Sequence, residues 1–240
     1  MRYRPLGARG QVVSAISLIL ESDPLRRRPA DWVSLIHSAL ECGVSSFEIR
    51  AMDPALGEGV AAALASVDRR MVFVSLRLSV QPRAGALLAA VCSQIRAAVA
   101  TTGLGYLDAA LLGPETLMSP QGLNELRALK SAGLVRALGV FGASEAVDGV
   151  VAAGGLDLLA TEYSLLSGWA ERRRVRSALA VDMGVLGYGH FPREKLEPLM
   201  PPRGKVRGQP LAGIGGYGFL QETRDWTLTC TVARLGSVRA

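Results

Sequence analysis

Leu107-Asp108-Ala109-Ala110-Leu111-Leu112 is followed by Pro120-Gln121-Gly122-Leu123-Asn124-Glu125-Leu126-Arg127-Ala128-Leu129-Lys130-Ser131 and then by Arg136-Ala137-Leu138-Gly139-Val140-Phe141. The outer two runs are short and apolar, as strands buried on both faces are, and the middle run is amphipathic. A strand, a helix and a second strand in this order form the unit of a parallel sheet with helices against it. Gly133 closes the helix, and Ser119 before Pro120 provides its cap.

The same alternation extends in both directions. Strands are expected at Ala15-Leu20, Ser45-Ile49, Met71-Leu78, Leu107-Leu112, Arg136-Phe141, Leu156-Glu162 and Gly184-Tyr188. Helices are expected at Asp31-Glu41, Gly57-Ser66, Ala84-Thr101, Pro120-Ser131, Ser144-Ala153 and Trp169-Met183. The tail runs through the Pro- and Gly-rich stretch 201–218 to a helix expected over Gln221-Leu235, leaving only Gly236-Ala240 as a possible eighth strand. The fold class is therefore α/β, a (β/α)8 barrel of TIM type, truncated or with a doubtful eighth strand, in a single domain over residues 1–240. A missing strand would leave edges to be paired, which predicts a homodimer with segment 201–218 covering the open side or crossing to the partner.

The chain has 240 residues, 49% hydrophobic, with 27 Lys and Arg against 21 Asp and Glu and a net charge of +6. The basic residues lie in short runs, Arg26-Arg27-Arg28 and Arg172-Arg173-Arg174, without a basic helix or a ladder of aromatic residues, so they read as solvated faces and argue against a nucleic-acid partner. Cys42, Cys92 and Cys230 fit neither a disulfide framework nor a zinc site and read as buried thiols of a cytoplasmic protein. No uncharged apolar run reaches about 18 residues, so no membrane span is expected.

Particular residues carry more than a pattern. Met1-Arg2-Tyr3-Arg4-Pro5-Leu6-Gly7 with Gly10 and Val13-Ser14, Ala39-Leu40-Glu41-Cys42-Gly43-Val44 leading to Phe47-Glu48, Leu56-Gly57-Glu58-Gly59, and Gly105-Tyr106-Leu107-Asp108 occur in that order. Leu134-Val135-Arg136-Ala137-Leu138-Gly139-Val140 and Glu162-Tyr163-Ser164-Leu165-Leu166 follow. The series, over about residues 1 to 190, resembles the aldo-keto reductases, and implies their barrel fold.

The resemblance also implies a site in which a tyrosine protonates a carbonyl, tuned by an aspartate, a lysine and a histidine, while NADPH gives hydride. At the corresponding positions this chain has Glu48 for the aspartate, no phenol in Arg50-Ala51-Met52-Asp53-Pro54-Ala55, Arg77 for the lysine and Gly113 for the histidine. Phe141-Gly142 and Ala160 stand where the family keeps Ser-Asn and glutamine on the nicotinamide amide, and the chain stops at Ala240 before a phosphate-binding segment. Tyr188 matches the ring that stacks on the nicotinamide. The expectation is accordingly that no cofactor is used. Gly213-Ile214-Gly215-Gly216-Tyr217-Gly218 has the spacing of a dinucleotide fingerprint but lacks its strand and βαβ setting, and reads as a loop.

In barrels of this type chemistry sits at the carboxyl ends of the strands. Glu48, Arg77, Tyr188 and His190 are the candidate catalytic residues, combining an acid, a fixed cation, a phenol and a group titrating near neutrality. Arg50, Asp53, Glu115, Phe141, Tyr163 and Trp169 are candidates for substrate contact. Glu48 and Arg77 read equally well as a residual salt bridge. His37 reads as packing or surface, and no metal site is expected. The expected function is non-redox acid-base chemistry on a small molecule in specialised biosynthesis (an isomerase, cyclase, dehydratase or other lyase), with a residual NADP(H)-dependent oxidoreductase and a non-catalytic binding or partner protein as alternatives.

Overall fold

An antiparallel hairpin, β1 (Tyr3–Leu6) and β2 (Gln11–Ser14), opens the chain in the computed structural model, which describes residues 1–8, 10–23, 26–78, 87–118, 120–164, 166–189 and 228–232. Then come β3 (Ile16–Glu21), α1 (Pro29–Glu41), β4 (Ser46–Ala51), α2 (Pro54–Leu64), β5 (Phe73–Leu78), α3 (Leu87–Thr102) and β6 (Leu107–Leu112). After these follow α4 (Pro114–Leu117), α5 (Pro120–Ser131), β7 (Val135–Phe141), α6 (Glu145–Ala153), β8 (Leu158–Glu162), α7 (Trp169–Ala180), β9 (Gly184–Tyr188) and β10 (Leu228–Val232). Strands β3 to β10 are all parallel and close into a barrel, with β10 between β9 and β3.

The eighth strand is where a helix was expected. Leu228-Thr229-Cys230-Thr231-Val232 pairs with Val185 to Gly187 on one side and Ile16 to Leu18 on the other. Its β-branched residues suit a strand, and long-range pairing with two neighbours outweighs the local helical reading. The open edge that suggested a homodimer is therefore filled, and that argument for a dimer lapses. Segment 201–218, including Gly213 to Gly218, lies outside the described residues, as does Ser119.

Two apolar sets follow from the alternation of side chains along each strand. Phe73, Ala109, Leu111, Ala137, Leu158, Ala160 and Leu186 fill the barrel interior, closed below by Leu6 and Val13 of the hairpin. Their neighbours Val74, Leu76, Ala110, Leu112, Leu138, Val140, Leu159 and Val185 face outward and pack with the helices. In the helical shell, α1 and α2 approach so closely that a Cβ on Gly59 would lie 2.5 Å from that of Trp32. His37 on α1 lies 3.0 Å from the Ala63 carbonyl of α2, a helix-to-helix tie rather than a site.

The hairpin is fastened to the amino-terminal end of the barrel. Gln11 donates to Asp108 Oδ1 (3.0 Å), and the Asp108 carboxylate, fully buried, also accepts from Val74 N (2.8 Å) and Arg69 Nη2 (2.6 Å). The guanidiniums of Arg69 and Arg136 lie 4.0 and 3.6 Å from the centre of the Tyr106 ring.

Two other expectations change. Cys42 is exposed, at the carboxyl end of α1, while Cys92 is buried. Arg174 is not a solvated charge: it is 4% exposed and donates to Asp148 (2.5 Å) and to the Ala143 carbonyl (2.8 Å). It thereby ties α7 to α6 and to the loop after β7.

Candidate functional site

Alternation puts Glu48 and Arg50 of β4 and Arg77 of β5 on the inward side, since Phe47, Ile49 and Leu76 between them belong to the outer core. Glu48 is in register with Ser75, so Arg77 stands one layer higher, level with Arg50. The Glu48 carboxylate, 3% exposed, accepts from Arg50 Nε at 2.7 Å and from Arg77 Nη2 at 3.4 Å. Arg77 Nε is also 3.0 Å from Glu48 Oε1, but its N–H does not point at that oxygen and has no hydrogen-bond partner.

Above this group the rings of Tyr188 and Phe141 lie against the Arg77 guanidinium, 4.3 and 5.1 Å from ring centre to Cζ. Arg50 is 5.8 Å from the Tyr188 ring. Ring faces attract a cation and fix its plane. Burial pushes the Arg77 pKa down, with Arg50 adding to the fall and Glu48 opposing it. Burial also pushes the Tyr188 phenol up, and the nearby arginines only partly offset this. Tyr188 therefore stays protonated through the neutral range, and the Glu48 carboxylate is held by two guanidiniums.

The other candidates are distributed differently. Asp53 caps α2, accepting from Leu56 N at 2.8 Å. With Ser22, Asp23, Arg26 and Arg27 it lines a separate surface cleft. Tyr163 follows β8 but packs into the outer core, 5% exposed. Trp169 begins α7 and is 68% exposed, its ring covered by Arg173 at 4.8 Å. His190 lies outside the described residues.

Glu115 reaches the mouth by a route the sequence does not announce. The one-turn helix α4 folds its side chain back over Gly113, so that a Cβ at Gly113 would lie 2.0 Å from Glu115 Oε1. Position 113 continues the inward set Ala109 and Leu111. Glu162 at the end of β8 is a further acid, acting electrostatically on Tyr188. Among the described residues no group of three His, Cys, Asp or Glu could hold a metal. No described helix is long and apolar enough to cross a membrane.

No family model matches the chain, and no curated protein does. Solved structures do. A Pseudomonas aeruginosa protein assigned as an aldo-keto reductase superposes over 98% of this chain and 89% of its own with a TM-score of 0.69 at 16% identity. The fold is that of the aldo-keto reductases. The holo form of an aldo-keto reductase from Bacillus halodurans covers 85% of this chain and 70% of its own, with TM-score 0.67 and 18% identity. A Bombyx mori aldo-keto reductase in complex with NADP covers 96% and 82%, with TM-score 0.65 and 15% identity.

That last structure corrects the expectation of a cofactor-free barrel: a protein of this same aldo-keto reductase fold is solved holding NADP. The mouth here has features that fit a flat ring. Tyr188 and Phe141 each end a strand, and the residues after them, Gly189 and Gly142, have no side chain and φ of +67° and +132°. Bare backbone beside an aromatic face lets a planar group approach closely.

Proposed function

We propose that the chain is an NADP(H)-linked oxidoreductase acting on a small carbonyl compound at the carboxyl end of the barrel. The carrying observation is the buried Glu48 held between Arg77 and Arg50 beneath the Tyr188 ring. The likeness to an aldo-keto reductase in complex with NADP supports the cofactor. Tyr188 and Phe141 would border the nicotinamide, which supplies hydride when bound. Arg77, kept cationic by Glu48 and oriented by the two rings, polarises a carbonyl oxygen and holds the negative charge that develops there. Tyr188, whose phenol burial keeps protonated, is the proton donor at the mouth. Glu48 fixes both arginines.

The test is a fluorescence titration with NADPH, followed by its oxidation in the presence of a panel of aldehydes and ketones. Saturable binding and turnover that both weaken in Tyr188→Phe and Arg77→Met bear the proposal out. Absence of NADPH binding at millimolar concentration overturns it.

One observation favours a second reading, acid-base chemistry without hydride transfer, as in an isomerase, cyclase, dehydratase or other lyase. The Arg77 guanidinium lies over the Tyr188 ring, a fixed cation beside a phenol, which is an arrangement that stabilises an enolate-like oxygen. Turnover of a substrate with no change in NADPH absorbance, lost in Arg77→Met, distinguishes it.

A further inference from the structure

Two guanidiniums, Arg50 and Arg77, converge on one carboxylate, Glu48. The other acids at or just past the strand ends, Glu21, Glu115 and Glu162, make no ion pair with either arginine. Each arginine therefore has only a share of one close counter-charge, in a site closed to water on the barrel side, where charge acts more strongly than in solvent.

The donors are unbalanced. Arg77 is 8% exposed, yet its Nε–H is buried without an acceptor. A buried unpaired donor costs about 1–3 kcal/mol, and this one lies 3.0 Å from Glu48 Oε1, so Arg77 is committed to the buried pair. Arg50 spends only Nε on Glu48, and no described residue accepts from its Nη1 or Nη2, while its side chain is 25% exposed. A planar fork with two free nitrogens, oriented by a buried acid behind it, matches a carboxylate or a phosphate in two-point contact.

We infer that the substrate of this barrel carries an anionic group, a carboxylate or a phosphate, and that the terminal nitrogens of Arg50 grip it beside Arg77. Arg50 is then the residue that selects the substrate class, and Arg77 stays on the reacting oxygen. Neutral carbonyl compounds leave the Arg50 fork unpaired and bind weakly. The inference rests on the proposal that the mouth is the working site, but not on hydride transfer.

The test uses the full chain, with oxalate, inorganic phosphate and neutral oxamide as probes, measured by titration calorimetry on wild type, Arg50→Gln and Arg50→Lys. Expected are saturable binding of oxalate or phosphate, no binding of oxamide, and affinity for the anion at least about tenfold lower in Arg50→Gln. Arg50→Lys, which keeps the charge without the fork, should fall between the two. The tighter of oxalate and phosphate identifies the anion. Circular dichroism and melting show that each variant is folded. Should Arg50→Gln fail to fold, the intermediate affinity expected of Arg50→Lys decides. No saturable anion binding to wild type, or equal binding in folded Arg50→Gln, overturns the inference. Anion binding in a protein that does not bind NADPH sinks the oxidoreductase reading while leaving the anion site standing.

Discussion

Glu48 sits one layer below Arg77 on the adjacent strand, its Oε1 3.0 Å from Arg77 Nε, and the pair is nearly shut off from water. Breaking such a pair by removing one charge leaves the other buried and uncompensated, whereas removing both often costs little. We expect Glu48→Gln to lose about 3–5 kcal/mol of stability. The double variant Glu48→Leu with Arg77→Met should recover most of that loss and retain no activity. Urea denaturation of the three proteins checks this, and a double variant as unstable as Glu48→Gln would contradict it.

The phenol of Tyr188 should titrate above the usual range for tyrosine, because burial disfavours the phenolate. The sign for stability follows from the raised pKa: the contribution is fully present below the ordinary value of 10.0 and is lost as pH climbs through the higher folded value. A spectrophotometric titration of wild type minus Tyr188→Phe should show the missing phenol ionising above the ordinary range for tyrosine. Its appearance at or below the ordinary value would place Tyr188 in a wetter site than the geometry gives it.

Gly113→Ala separates the position of Glu115 from its chemistry. The new methyl would lie 2.0 Å from Glu115 Oε1, so the carboxylate must swing away, which an exposed flexible side chain does cheaply. The backbone at Gly113, φ −66° and ψ 153°, suits alanine, and stability should stay within about 1 kcal/mol. Oxalate affinity should rise about twofold to fivefold as a negative charge leaves the mouth, the scale of an exposed charge pair of ~0.5–1 kcal/mol. Calorimetry shows it, and weaker binding would mean that Glu115 helps to hold the anion.

At the opposite end, Asp108→Asn removes the charge from a fully buried carboxylate that faces Arg69. It should cost about 3 kcal/mol in a denaturant titration, by the same argument as for Glu48. NADPH and oxalate affinities measured below the melting transition should not change, because the amino-terminal end of such barrels serves stability. A large change in either would show that the two ends are coupled.

The fold was legible because its signals are local and repeated. Apolar runs such as Leu107–Leu112 and Gly184–Tyr188, separated by amphipathic stretches such as Pro120–Ser131, place the strands and helices to within a few residues. Glu48, Arg77 and Tyr188 were also legible as strand-end residues on the inward side, since a two-residue period decides which face each occupies. Other features depend on partners far apart in the chain. Leu228–Val232 is a strand only because β9 and β3 offer it two edges, and Arg174 is buried only because Asp148 and Ala143 meet it. The return of Glu115 over Gly113 depends on a one-turn helix with no periodic signal. The sequence by itself determined the alternation and the kinds of charge at the strand ends. Only the tertiary structure decided which charges pair, that Arg50 joins Arg77 on a single carboxylate, and that the terminal nitrogens of Arg50 have no acceptor among the described residues. Pairing depends on distances of a few ångströms between strands, and spacing along the chain does not encode them.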